Sequence, residues 1–152
     1  MTTFTKISSS LAVLLVTVAF LAAATADQEK AFTDQYKKAF EAKDTATLAS
    51  FLYTQGADPT IVEFYKMMQS AEAGEKIAKI ELVSLTPEDV KKASTPMDSP
   101  AGGKVCLILK PTKKLLIKVE KKDASGSSSS TSENFIAENG GKFVIPVPGP
   151  CK

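Results

Sequence analysis

The chain of 152 residues has no histidine and no tryptophan, and every one of its basic residues is lysine. Each absence removes a class of function. Without histidine there is no Ser-His-Asp or Cys-His nucleophile system and no imidazole ligand for zinc, and two cysteines are too few for an all-thiolate structural zinc site. Without arginine there is no bidentate fork for phosphate or for base edges. The lysine pairs Lys37-Lys38, Lys91-Lys92, Lys113-Lys114 and Lys121-Lys122 are scattered along a chain of nearly balanced charge, formally +2. They read as solvated faces or edge protection, so nucleic acid is not an expected partner. No metal and no cofactor is expected, and no motif nominates a catalytic residue.

Residues 1–26 read as an export signal. Lys6 supplies one positive charge, Leu11 to Ala24 is an uncharged apolar run, and Ala24-Thr25-Ala26 is a small-x-small site followed by Asp27-Gln28-Glu29-Lys30. The run is nearer a signal core than the roughly 20 apolar residues of a spanning helix. No cysteine stands at the cleavage region, so a lipoprotein is not expected. The expectation is a secreted or periplasmic protein with no membrane span after cleavage. A single domain would cover residues 27–147, with a proline-rich tail over 148–152.

The most strongly patterned stretch is Lys104 to Lys122. Val105, Leu107 and Leu109 alternate with Cys106, Ile108 and Lys110; after Pro111-Thr112, Leu115, Ile117 and Val119 alternate with Lys114, Leu116, Lys118 and Glu120. This predicts two central strands of a sheet with one apolar and one mixed face.

Upstream the period is helical. Phe32, Tyr36, Ala39 and Phe40 form a stripe within Asp27 to Ala42. Asp44 offers a cap for a short second helix carrying Leu48, Phe51 and Leu52. Gly56 breaks it, and Asp58-Pro59 opens a third with Ile61, Phe64, Tyr65 and Met68 on one face before Gly74. Phe32, Phe40, Phe51, Phe64 and Met68 read first as core. Tyr36 and Tyr65 each place a phenol on an apolar face, where it either reaches the protein edge or points into a pocket. With Phe40 and Phe64 they are the candidate ligand-binding residues.

Lys76 to Leu85 predicts another strand, and Thr86-Pro87-Glu88-Asp89 a capped helical turn. Ser94 to Gly103 predicts a surface loop. The serine-rich stretch 123–132 is either a flexible linker or the polar end of a strand. Asn139-Gly140-Gly141 predicts a hairpin that ends at Pro146, Pro148 and Pro150. Cys106 and Cys151 are either a disulfide in an oxidising compartment or two unpaired thiols.

The order of helix, short helix, helix and then strands resembles the nuclear-transport-factor-2-like cone fold. YKKAFEAKDTATLASFL (Tyr36 to Leu52) is similar to the family's opening helices and ENGGKFVIP (Glu138 to Pro146) to its closing hairpin, with Phe143 where the family usually has tryptophan. The resemblance implies an α+β domain in which three N-terminal helices pack on a curved, mainly antiparallel sheet around a conical cavity. Family members use that cavity for binding, catalysis or dimerisation. Three functions follow. One is a non-catalytic exported module binding a small apolar ligand or a partner protein. Another is an isomerase- or cyclase-like enzyme, with Tyr36 or Tyr65 as proton donor and Glu63 or Glu81 as base. The last is a structural homodimer through the mixed sheet face, with Leu116 and Ile108 covered by a second copy.

Overall fold

The computed structural model describes residues 25–123 and 126–151. Apart from Thr25 and Ala26 the expected leader lies outside the described residues, as does Ser125 of the serine-rich stretch.

The chain begins with α1 (Ala26–Glu41), where the Thr25 hydroxyl accepts the Gln28 amide and the Gln28 side chain accepts the Thr25 N–H. This capping box satisfies two helix-end donors. The predicted stripe of Phe32, Tyr36, Ala39 and Phe40 is its buried face. Asp44 caps α2 (Thr45–Ser50) by accepting the Thr47 N–H at 3.0 Å. Leu52 is not helical as expected; it belongs to β1 (Leu52–Tyr53) and reaches the core from there. Asp58 then caps α3 (Pro59–Ala71), whose first residue is the predicted proline.

The remaining elements are β2 (Lys76–Ser84), α4 (Pro87–Ser94), β3 (Met97–Asp98), β4 (Lys104–Leu107), β5 (Lys113–Asp123), β6 (Gly126–Asn139), β7 (Lys142–Pro146) and β8 (Pro148–Pro150). They build a curved five-stranded sheet in the order β1-β7-β6-β5-β2 and a three-stranded sheet in the order β3-β4-β8. Only β1 and β7 run parallel. The described residues thus form a mixed α+β protein with four helices and a mainly antiparallel sheet.

Four expectations are corrected by this topology. Lys104–Leu107 and Lys113–Asp123 are not a central pair: the break at Pro111, which has no N–H for a ladder, sends them into different sheets. Ile108 and Leu116 therefore share no sheet face. The proline-rich tail is not free, because Pro148–Pro150 pairs with β4, and Gly149 is the one residue of the three that can donate a backbone N–H. A Cβ on Gly149 would lie 2.1 Å from the Gly56 carbonyl oxygen, so only glycine allows this close approach. Finally, strict alternation would put Ile77 and Ile80 on opposite faces. A bulge between Ile77 and Lys79 brings both inward, opposite Val119 and Ile117. The serine-rich stretch, from Gly126 on, is the polar end of a strand, paired with β5.

The inner face of the large sheet carries Leu115, Ile117, Val119 and Ile136, each no more than 2 % exposed. They share one core with the α1 stripe. Phe32 meets Phe51 edge to face at 5.3 Å between ring centres, and Tyr36 lies 5.3 Å from Phe51. Fully burying one such side chain stabilises by about 1.5–3 kcal/mol.

Two further ties hold the outer parts. Cys106 and Cys151 are joined as a disulfide, with Cα atoms 4.9 Å apart, linking β4 to the chain end just beyond β8. On the outer face, Asp89 accepts the backbone N–H of Thr86 at 3.0 Å, its hydroxyl at 2.9 Å and the Lys114 ammonium at 3.0 Å; Lys114 also meets Glu133 at 3.2 Å. This pins the start of α4 to β5. The Thr86 backbone N–H, first, and then the Lys114 and Thr86 side chains hold the Asp89 carboxyl at about 2.

Removing the disulfide by a double Cys106→Ser, Cys151→Ser substitution releases a loop with a sequence separation of 45. Chain entropy predicts a loss of about 4 kcal/mol, read as a lower urea midpoint, while reductant leaves the variant unchanged. Because the folded-state value of Asp89 is depressed, its contribution is present above 3.8 and is lost as pH falls toward about 2. Hydrogen exchange at the α4 amides should quicken over that window, and Asp89→Asn should abolish the pH step.

Candidate functional site

A cavity of about 470 Å³ lies between α1, α3 and the inner face of the large sheet. All four candidate ligand-binding residues line it: Tyr36 and Phe40 from α1, Phe64 and Tyr65 from α3. Spacing explains the convergence. Tyr36 and Phe40 are one helical turn apart, and so are Ile61, Tyr65 and Gln69. Ile61 is 5 % exposed and seats the helix, while Tyr65 and Gln69 follow it along the same face. Phe64 and Met68, expected in the core, are instead 42 % and 59 % exposed and stand at the mouth.

The sheet side of the cavity is Ile117 on β5 and Ser132 and Asn134 on β6. Ser132 stands opposite Ile117 and Asn134 opposite Leu115, so these small polar residues occupy inward positions where a larger apolar side chain would fill the space. Glu133 contributes to the rim, but alternation turns its carboxylate to the outer face, where it meets Lys114. Glu72, the last lining residue of the α3 end, accepts the Ser130 hydroxyl at 3.1 Å.

The polar groups inside are of two kinds. Burial pushes the Tyr36 hydroxyl up to about 12, only partly offset by the adjacent Gln69 amide, and burial also raises Tyr65. Both phenols are therefore protonated at neutral pH and available as donors. The Gln69 amide is near enough to the Tyr36 hydroxyl to lower its value as a hydrogen-bond partner does, although no hydrogen bond of full geometry reaches its Oε1 or Nε2 among the described residues and both atoms are shut off from solvent. A buried amide left without a well-formed hydrogen bond is costly, about 1–3 kcal/mol.

The carboxylates considered as bases are elsewhere. Glu63 is 72 % exposed and paired with Lys66 at 2.8 Å; Glu81 pairs with Lys79 at 2.8 Å on the outer sheet face. Neither lines the cavity. A second cavity of about 440 Å³ sits beside the disulfide, next to Tyr53 and Ile108. Its tyrosine is already engaged, donating to Gln55 at 2.9 Å, which makes it the weaker candidate. Among the described residues no cluster of three or more acidic or thiol ligands could hold a metal ion, and no helix is long and apolar enough to cross a membrane.

Gln69 escaped sequence reasoning, although its position four residues after Tyr65 put a polar amide on an otherwise apolar stripe. Ser132 and Asn134 escaped because their place on the inner face depends on pairing with β5. Compared with known protein families, curated proteins and solved structures, the chain matches none.

Replacing Gln69 by leucine removes the amide that lacks a well-formed hydrogen bond at nearly constant volume. The empty protein should gain about 1 kcal/mol, seen as a higher urea midpoint with an unchanged slope.

Proposed function

We propose that this protein is a non-catalytic binding module that takes a small, mainly apolar molecule into the cavity between α1, α3 and the five-stranded sheet. The observation that carries the reading is the cavity itself: about 470 Å³, walled by Phe40, Tyr65 and Ile117, and keeping the Gln69 amide at its wall. Ligand pockets of small molecules have this size and this mixture of apolar wall with a few polar groups. The helix order and the cavity against a curved sheet fit the cone-like arrangement of nuclear-transport-factor-2-like proteins. The disulfide fits an oxidising compartment, secreted or periplasmic.

A protein partner is the second reading, favoured by Phe64, Met67 and Met68, which are 42 %, 60 % and 59 % exposed on α3. The isomerase reading is weaker, because its tyrosines and the nominated Glu63 and Glu81 do not share a cavity. So is the sheet dimer: Leu116 stands between Glu81 and Glu133 on a face crossed by ion pairs.

The test uses N-phenyl-1-naphthylamine, an uncharged dye that brightens in apolar surroundings. Saturable binding to the full chain is expected, weakened about tenfold or more by Ser132→Phe, whose ring fills the cavity from the sheet side. Absence of saturable binding to the parent protein would refute the reading.

A further inference from the structure

We infer that ligand binding in this cavity is under redox control: a dithiol that reduces the Cys106–Cys151 disulfide loosens the start of α3 and weakens the site. Such control presupposes the binding reading above and adds the regulation of that site. Three contacts in series connect the disulfide to the cavity.

The disulfide holds Cys151, and with it the end of β8, against β4. β8 is otherwise thinly tied, because Gly149 is the one residue of its three with an N–H to donate to a ladder. β8 in turn supports the segment that leads into α3. The Pro148 carbonyl accepts the Asp58 N–H at 3.0 Å, and Gly149 lies against the Gly56 carbonyl oxygen. Asp58 then caps α3: its Oδ1 accepts the Thr60 N–H at 2.8 Å and the Ile61 N–H at 3.3 Å, and its carbonyl oxygen accepts the Val62 N–H at 3.0 Å. From α3, Phe64, Tyr65 and Met68 line the cavity, and Ile61, the buried residue that seats the helix, lies three residues beyond the cap. A displacement of residues 56–58 is therefore passed to the cavity wall through hydrogen bonds and a helix that moves as one piece.

The bond is open to a reductant. Cys151 is exposed and Cys106 half-buried, and a cavity of about 440 Å³ lined by Cys106, Pro150 and Gly56 opens beside them. A thiolate of the dithiol attacks Cys151 Sγ, the S–S bond breaks and Cys106 leaves as a thiolate. The second thiolate then attacks the mixed disulfide, closes the reductant's own S–S bond and releases Cys151, so two electrons and two protons pass from the dithiol to the cysteine pair. Ile145 and Val147 stay in place through burial and their bonds to Phe51 and Tyr53. The loosening is thus confined to residues 148–151 and to what rests on them.

The test is binding of N-phenyl-1-naphthylamine to the full chain with and without dithiothreitol, alongside amide hydrogen exchange in both states. Reduction should weaken dye binding about tenfold. Exchange at Thr60, Ile61 and Val62 should quicken while Ile117 and Val119 in β5 stay slow. The Cys106→Ser, Cys151→Ser variant should bind like the reduced protein and ignore the reductant. Gly149→Ala, whose Cβ meets the Gly56 carbonyl, should weaken binding and quicken the same three amides with the disulfide intact. Equal binding by oxidised and reduced protein would overturn the redox control and leave the cavity reading standing, and so would exchange that quickens in β5 as much as in α3, the mark of global unfolding. Absence of saturable binding to the oxidised protein would overturn both.

Discussion

The burial of β5 beneath α1 is the constraint from which the rest of the molecule follows. Leu115, Ile117 and Val119 present one continuous apolar row, and Phe32, Tyr36 and Phe40 present another at helical spacing. Both rows are long enough to exclude water along several residues, and area removed from water is the dominant favourable term in folding. Once β5 is committed to that contact, its partners are set by register. β2 must bulge after Ile77 to keep its isoleucines on the same side, and β6 must run alongside with whatever it carries.

What β6 carries explains the cavity. Opposite the three buried residues of β5 it places Asn134, Ser132 and Ser130, short polar side chains, of which Ser130 meets the end of α3 by donating to its C-cap Glu72. From α3, Ile61 is the one fully buried side chain. The helix is thus seated at one end by Ile61 and tied at the other by the Ser130–Glu72 hydrogen bond, with the unfilled space between. The open space, the Gln69 amide without a well-formed hydrogen bond and the exposed Phe64 and Met68 are all consequences of a sheet whose inner face is apolar along one strand and polar along the next. Leucine or valine at positions 132 and 134 would fill this space.

Local signals in the sequence were legible where the physics is local. The caps at Asp44, Asp58 and Thr86–Asp89 sit at the helix starts read from composition, because a side-chain oxygen three residues from an orphan N–H needs no tertiary help. The α1 stripe and the inward row of β5 were legible for the same reason, since period alone decides them. The helical spacing of Tyr36 with Phe40 and of Phe64 with Tyr65 was legible too, and it brings the four to one cavity wall. What could not be read depends on partners distant in sequence. The bulge after Ile77 exists only in pairing with Val119 and Ile117. The separation of β4 from β5 depends on β8 taking the place beside Cys106. Gln69 looks ordinary until Ser132 and Asn134 are known to face it across an unfilled gap.

The closing strands also set the order in which the fold can come together. Ile145 donates its N–H to Phe51 and Val147 to Tyr53, while Asp58 donates to Pro148, so β7 and β8 complete backbone pairing for a segment made some ninety residues earlier. Contacts so remote in sequence must close a long loop before they contribute anything, which slows folding relative to local structure. A chain made only as far as β6 contains the residues of the helices, the β5–β6 pair and the β3–β4 pair, but neither the parallel partner of β1 nor the third strand of the small sheet. The edge of the large sheet at Phe51 and Tyr53 keeps its carbonyls without these strand partners until residues 142–151 arrive.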